Sequence, residues 1–254
     1  MILRPYPRTH SLLQSYDYLG AKCRIVTIFS MIADGTSALN VQNMPLMAES
    51  VVADLMLLGQ ENKDPVKILI NSPGGSVAAG LLIINAIEHL QAEGIDVETV
   101  VISQSLSMAT PILTTGTKGK RYAFHRSVIH GHRGHGGADG SVDDIMGQIK
   151  YTEYLFDQLH EILAKKTKIP EYHLSHGDTP MPEILETLQR LEKSENKDDK
   201  TRYLKLRMKY AKEFFNKENF LTAKQAQEAG IIDEVLEPGN PYLNEIFKLS
   251  EVKQ

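Results

Sequence analysis

Apolar positions along this chain fall into two alternating patterns: short unbroken runs and longer stretches at helical spacing. "RIVTIFS" (Arg24 to Ser30) is a β-branched run with the length of a buried strand. "MAESVVADLMLLGQEN" then places Val51, Val52, Leu55, Met56 and Leu58 on helical spacing, with Gly59 near its end. "VKILIN" predicts a second buried strand closed by the turn "NSPGGS". After it, "VAAGLLIINAIEHLQAEG" predicts a helix stopping at Gly94, and "VETVVIS" a third strand. Strand, glycine turn, helix and strand within about forty residues make a βαβ unit, which predicts an α/β fold with a parallel sheet covered by helices.

Beyond Ser107 the pattern predicts a short helix ending near Gly116, then "KRYAF" and "SVIHG" as two short strands. "GHGGADGSVDD" is glycine-rich and reads as irregular or extended. "DDIMGQIKYTEYLFDQLHEILAKKT" carries Ile145, Ile149, Tyr154, Leu155, Leu159, Ile162 and Leu163, the pattern of a long helix with one apolar face. The stretch from about Leu174 to Leu206 stands apart. Within and beyond it, "MPEILETLQRLE" predicts a short helix entered through Pro182, "KSENKDDK" a solvated charged loop, and "RYLKLRMKYAKEFF" a resumed helix. "NFLTAKQAQEAGIIDEVL" predicts a helix closed by Gly230 and a final strand, followed by a polar tail. The expected organisation is an N-terminal arm over 1–20, a single domain over 21–240 with an insertion at about 174–206, and a C-terminal tail over 241–254. No internal repeat is visible.

Composition narrows the classes. A chain of 254 residues suits one α/β core, and a formal charge of -4 gives no electrostatic reason to expect nucleic acid or an anionic membrane surface. Cys23 is the only cysteine, so an internal disulfide and a Cys-rich zinc site are excluded and a reducing compartment is the simplest expectation. The N-terminus has no sustained apolar region of the secretory type, and no apolar stretch reaches the length of a membrane span. The expectation is a cytoplasmic protein without a membrane segment.

Candidate chemistry centres on Ser107 in "SQSLSMATPILTTG". Nucleophilic serine chemistry needs a base, a group orienting that base, and donors for an oxyanion. "SPGGS" (Ser72 to Ser76) sits between a strand and a helix, where two glycines let backbone N–H groups point outward. Ser107 begins the next strand-to-helix junction, so both turns are expected at one edge of the parallel sheet, where α/β proteins place their sites. Taken singly, the first motif reads as an ordinary tight turn and Ser107 as a small packing residue.

Taken in order, "INSPGGSVAAG", "SLSMAT", "TGTKGKRYAF" and "SVIHGHRGHGGADGSVDDI" resemble the Clp protease proteolytic subunit (ClpP) family. The likeness continues in "NFLTAKQAQEAGIIDEVL" and covers about Tyr16 to Leu236, apart from additions around "DGTSALNVQNMP" and at Leu174 to Leu206. It implies a ClpP/crotonase-like α/β fold with a protruding handle, "GGADGSV" forming the handle strand and "DDIMGQIKYTEYLFDQLHEIL" the handle helix. By position, Ser107 falls on the family nucleophile, His132 on the general base, and Gly75 and Met108 on the residues whose N–H groups form the oxyanion hole. The implied activity is hydrolysis of unfolded polypeptides through an acyl-enzyme. The implied assembly is stacked heptameric rings of one subunit, or a mixed ring with a paralogue, fed by an AAA+ unfoldase of the Clp type. The chain itself has no G-x-x-x-x-G-K-[ST] loop, so neither ATP nor another cofactor is expected of it.

The pattern also departs from the family. The third catalytic position, an aspartate there, holds Glu218, and the arginine before it is matched by Lys217. Ser103 stands for a glycine, Gly134 for the proline after the histidine, and His125 for another proline, while Pro111 lies one turn into the helix after Ser107. Two other readings follow. One is a structural ClpP-like subunit with little or no activity in a mixed ring, motivated by Glu218 and the insertion. The other is a crotonase-like acyl-CoA enzyme. His130, His132 and His135 also crowd together, and His130 and His132 could share an ion in a strand. The expectation is no metal, with His130 and His135 as bystanders.

Overall fold

The computed structural model describes residues 23–33, 47–134, 137–177 and 180–246. The expected arm, the whole of "DGTSALNVQNMP", His135 and the end of the tail lie outside the described residues.

Five parallel strands form the main sheet: β1 (Ile25–Ile28), β2 (Val66–Ser72), β3 (Val97–Leu106), β4 (Arg121–Phe124) and β7 (Glu234–Leu236), side by side in the order β1-β2-β3-β4-β7. Strand β3 runs to Leu106, past the end of "VETVVIS", and changes neighbours along its length. Thr99–Val101 pair with β4, whereas Gln104–Leu106 pair in parallel with β5 (Val128–Gly131). Strand β6 (Asn219–Thr222) then adds antiparallel to β5, with Phe220 opposite His130 and Asn219 opposite Gly131. The fork carries β5 and β6 past the end of the main sheet, to where β3 delivers Ser107.

One face of the sheet is covered by α1 (Met47–Glu61), α2 (Val77–Ala92), α3 (Ala109–Thr115) and α4 (Val142–Lys166), which close a core including Leu55, Ile83, Ile112 and Leu163. The fold is α/β with a predominantly parallel sheet, as the periodicity predicted. Four expectations need correction. Asn219–Thr222, predicted as the start of a helix, is a strand, because pairing with β5 overrides the propensity of four residues. Helix α8 (Ala223–Glu228) starts only afterwards, capped by Thr222, whose side chain accepts from the Gln225 N–H. The charged loop shrinks to 193–196: Asn196 caps α7 (Lys197–Phe215), and Asp198 and Asp199 lie in its first turn, where acidic groups favour a helix. Residues 137–141 form no strand in the handle; extended backbone needs a partner to become one, and Ser141 caps α4 instead, in a reciprocal bond with Asp144. The polar tail begins with a helix, α9 (Pro241–Ile246), whose Ile246 is buried on the second face of the sheet beside Leu69, Val100 and Leu236.

Helix α5 (Ile169–His176), not anticipated from the sequence, turns the chain from α4 toward α6 (Pro182–Glu192) and α7. Leu174, Leu188 and Tyr210 from these three helices make a small core of their own. Arg207 ties it to the end of α4, donating from Nε to the Ala164 carbonyl at 2.7 Å, a cation placed on a helix C-terminus. The 174–206 segment therefore folds back as a helical unit that leads directly, through α7, to Glu218.

Candidate active site

Where β3 stops, Ser107 adopts φ +53°, a left-handed conformation that costs a side-chain-bearing residue roughly 1–2 kcal/mol. Its surroundings hold it there. The Ser107 N–H donates to the His130 carbonyl at 3.0 Å, and its own carbonyl accepts from the Thr110 N–H at 3.0 Å. Thr110 Oγ1 reaches both the Ser105 and His130 carbonyls at 2.9 Å, pinning the turn to β5. Pro111 is the third residue of α3, so its missing N–H is among those that lack a helical partner anyway. Backbone strain held this firmly is a mark of functional turns.

The "SPGGS" turn lies against Ser107. Gly74 sits at φ +92°, and its N–H donates to Ser72 Oγ at 3.1 Å. Gly75 bridges Ile32 in parallel: the Ile32 N–H donates to the Gly74 carbonyl at 2.8 Å and the Ser76 N–H to the Ile32 carbonyl at 2.8 Å. A parallel bridge uses the flanking residues, so the Gly75 N–H itself is directed away from Ile32. Gly75, Ser107, Met108 and His132 line one cavity of about 880 Å³, which α4 and α7 bound through Phe156 and Phe215. Gly134, at the position the resemblance matches to a proline, packs on that same wall. A Cβ there would fall 1.9 Å from Phe156 Cζ, so a larger residue would have to displace the Phe156 ring.

His132 follows β5 and meets the serine: its Nε2 lies 2.8 Å from Ser107 Oγ. Its Nδ1 is 3.7 Å from Glu218 Oε1, beyond hydrogen-bond length. The other oxygen, Glu218 Oε2, lies 2.7 Å from His130 Nε2. The two imidazoles stack with centroids 5.1 Å apart and planes 11° from parallel, and Phe220 covers the His130 ring at 4.0 Å. Both histidine side chains are largely buried, at 9% and 16% exposed, whereas Glu218 is 61% exposed. Deeper differences in polarity mark the cavity too: burial, then the charge of Lys212, pushes the His160 imidazole down to about 4.

The five residues singled out from the sequence, Ser107, His132, Glu218, Gly75 and Met108, are thus close together. His130, read there as a bystander, contacts Glu218 directly. The available signal was its place two residues before His132 in a strand, which puts both rings on one face. Their Nε2 atoms turn to different partners, one to Glu218 and one to Ser107. Among the described residues no group of three or more His, Cys, Asp or Glu is arranged to hold a metal ion. Among them, too, no helix is long and apolar enough to cross a membrane.

Compared with known protein families, residues 20–239 match the family model described as Clp protease.

Proposed function

Since this chain belongs to the Clp protease family, a family of serine peptidases, we propose that it is a serine endopeptidase subunit with Ser107 as nucleophile, His132 as general base and Glu218 as the carboxylate that orients it. The Gly75 and Met108 N–H groups are the oxyanion donors. Ser107 Oγ attacks the peptide carbonyl carbon while its proton passes to His132 Nε2. The carbonyl electrons move onto oxygen, which the two N–H groups stabilise. Collapse breaks the C–N bond, and the leaving amine takes the proton from His132. Water, activated by the same imidazole, then releases the acyl group.

The observation that carries this reading is the 2.8 Å contact between His132 Nε2 and a Ser107 held at φ +53°. A base in hydrogen-bond reach of a hydroxyl on a strained turn is the arrangement that nucleophilic catalysis requires. Assembly follows the family reading: stacked heptameric rings of this subunit, or a mixed ring with a paralogue, receive polypeptides from an AAA+ unfoldase of the Clp type. Val142, Met146, Tyr151 and Tyr154, exposed on α4, supply an apolar surface for ring contacts.

A second reading, a catalytically weak subunit of a mixed ring, draws on the 3.7 Å gap between His132 Nδ1 and Glu218. The two are separated by hydrolysis of a panel of short fluorogenic peptides by the purified full chain. Hydrolysis that vanishes in both Ser107→Ala and His132→Ala is expected. An assembled protein with no hydrolysis supports the weak subunit, and turnover of CoA thioesters without peptidase activity would move the chemistry to the crotonase-like alternative.

A further inference from the structure

Resting on the peptidase reading above, we infer that His130 is a positioning residue for the reaction: through its Nε2–H it holds the Glu218 carboxylate beside His132.

The need for such a residue comes from Glu218 itself. Its side chain is 61% exposed and one methylene longer than the aspartate expected at this position. A glutamate in water samples many rotamers, and ordering a side chain of that length costs conformational entropy. A bond to a carboxylate is stronger than one between neutral groups, and the 2.7 Å contact from His130 Nε2 to Oε2 fixes one oxygen. With Oε2 held, Oε1 stands 3.7 Å from His132 Nδ1, where a small rotation of the carboxylate closes a hydrogen bond as the imidazole gains charge.

His130 is itself fixed on every side. It lies in β5 between Leu106 of β3 and Phe220 of β6, and its ring is sandwiched between those of His132 and Phe220. Its backbone carbonyl accepts from the Ser107 N–H and from Thr110 Oγ1. One residue thus anchors the nucleophile's turn by its main chain and the carboxylate by its side chain. Changing the ring leaves the first anchor in place, so the second can be tested alone.

The test measures how fast a fluorophosphonate labels Ser107 in the full chain, with circular dichroism and sizing as checks on fold and assembly. His130→Leu is expected to slow labelling about tenfold or more, in line with the cost of a misplaced catalytic group. His130→Gln, whose amide N–H can still donate to Glu218, is expected to stay within about threefold of the parent. In a Glu218→Ala background, His130→Leu is expected to add nothing, because its effect runs through that carboxylate. Losses that multiply in the double variant, a His130→Gln as slow as His130→Leu, or a His130→Leu as fast as the parent would each overturn the role. Should His130→Leu misfold, His130→Met, which also lacks the side-chain N–H, takes its place in the same comparisons. A parent protein that leaves Ser107 unlabelled ends the peptidase reading as well, an outcome distinct from a labelled parent indifferent to His130.

Discussion

Gly74 lies against Ser107: a Cβ built on the glycine would fall 2.5 Å from the serine's Cβ and 2.5 Å from the Leu106 carbonyl oxygen. The turn after β2 and the turn after β3 are therefore fitted to each other through the absence of one side chain. Gly74→Ala would meet both the contact and a φ of +92° that disfavours a Cβ. It is expected to lower stability by roughly 2 kcal/mol or more. Ser107 labelling should fall with it, in protein that is still folded at low temperature. Thermal unfolding and labelling of the same sample check both effects.

Glu218→Gln keeps the length of the side chain and an oxygen for His130, but removes the charge facing His132 Nδ1. If that charge stabilises the imidazolium, kcat on a fluorogenic peptide falls on the order of 10²-fold while KM is unchanged. Steady-state kinetics distinguish this from a loss of binding, which would raise KM.

Asp233 links β7 to β4, accepting from the Gly119 N–H at 2.8 Å, the Arg121 N–H at 3.1 Å and Arg121 Nε at 2.8 Å. Burial pushes its pKa up, but the Arg121 hydrogen bond and charge, together with the Gly119 N–H, outweigh this and hold it below the ordinary carboxylate value. A depressed folded pKa means the stabilisation is complete above the unfolded value of about 3.9 and is lost as pH falls through the folded one. Asp233→Asn is expected to cost about 2–3 kcal/mol at pH 7, because Arg121 is left buried with its charge uncompensated. The variant should also show a flatter loss of stability in acid. Denaturant unfolding at several pH values checks both.

On α4, Val142 and Met146 are exposed one turn apart, at 77% and 49%. If this face joins rings, Val142→Glu with Met146→Glu introduces like charges into a desolvated contact and halves the assembly, leaving peptide cleavage by remaining rings reduced. Sedimentation of parent and variant reads the change in mass directly.

The main sheet was legible because its signals are local: β-branched runs end at glycine turns, and apolar residues recur at helical spacing between them. The "SPGGS" turn and Ser107 could be placed at one sheet edge because each sits at the carboxyl end of a strand that such runs announce, whereas Met108 was singled out only through the family resemblance. What escaped depends on distant pairing. "NFLT" reads as helix until β5 offers it a partner, and that pairing brings Glu218 to His130 across 88 residues of sequence. The run "KSENKDDK" was a different failure. Charge density suggested a loop, although Asn196 followed by Asp198 and Asp199 is a helix-start signature that was present to be read.

The central claim is tested most directly by finding where a fluorophosphonate attaches. After reaction with the assembled full chain, peptide mass spectrometry should locate one adduct, on Ser107, absent when His132→Ala is treated in the same way. An assembled, folded parent without an adduct on Ser107, or an adduct whose yield is indifferent to His132→Ala, would contradict it.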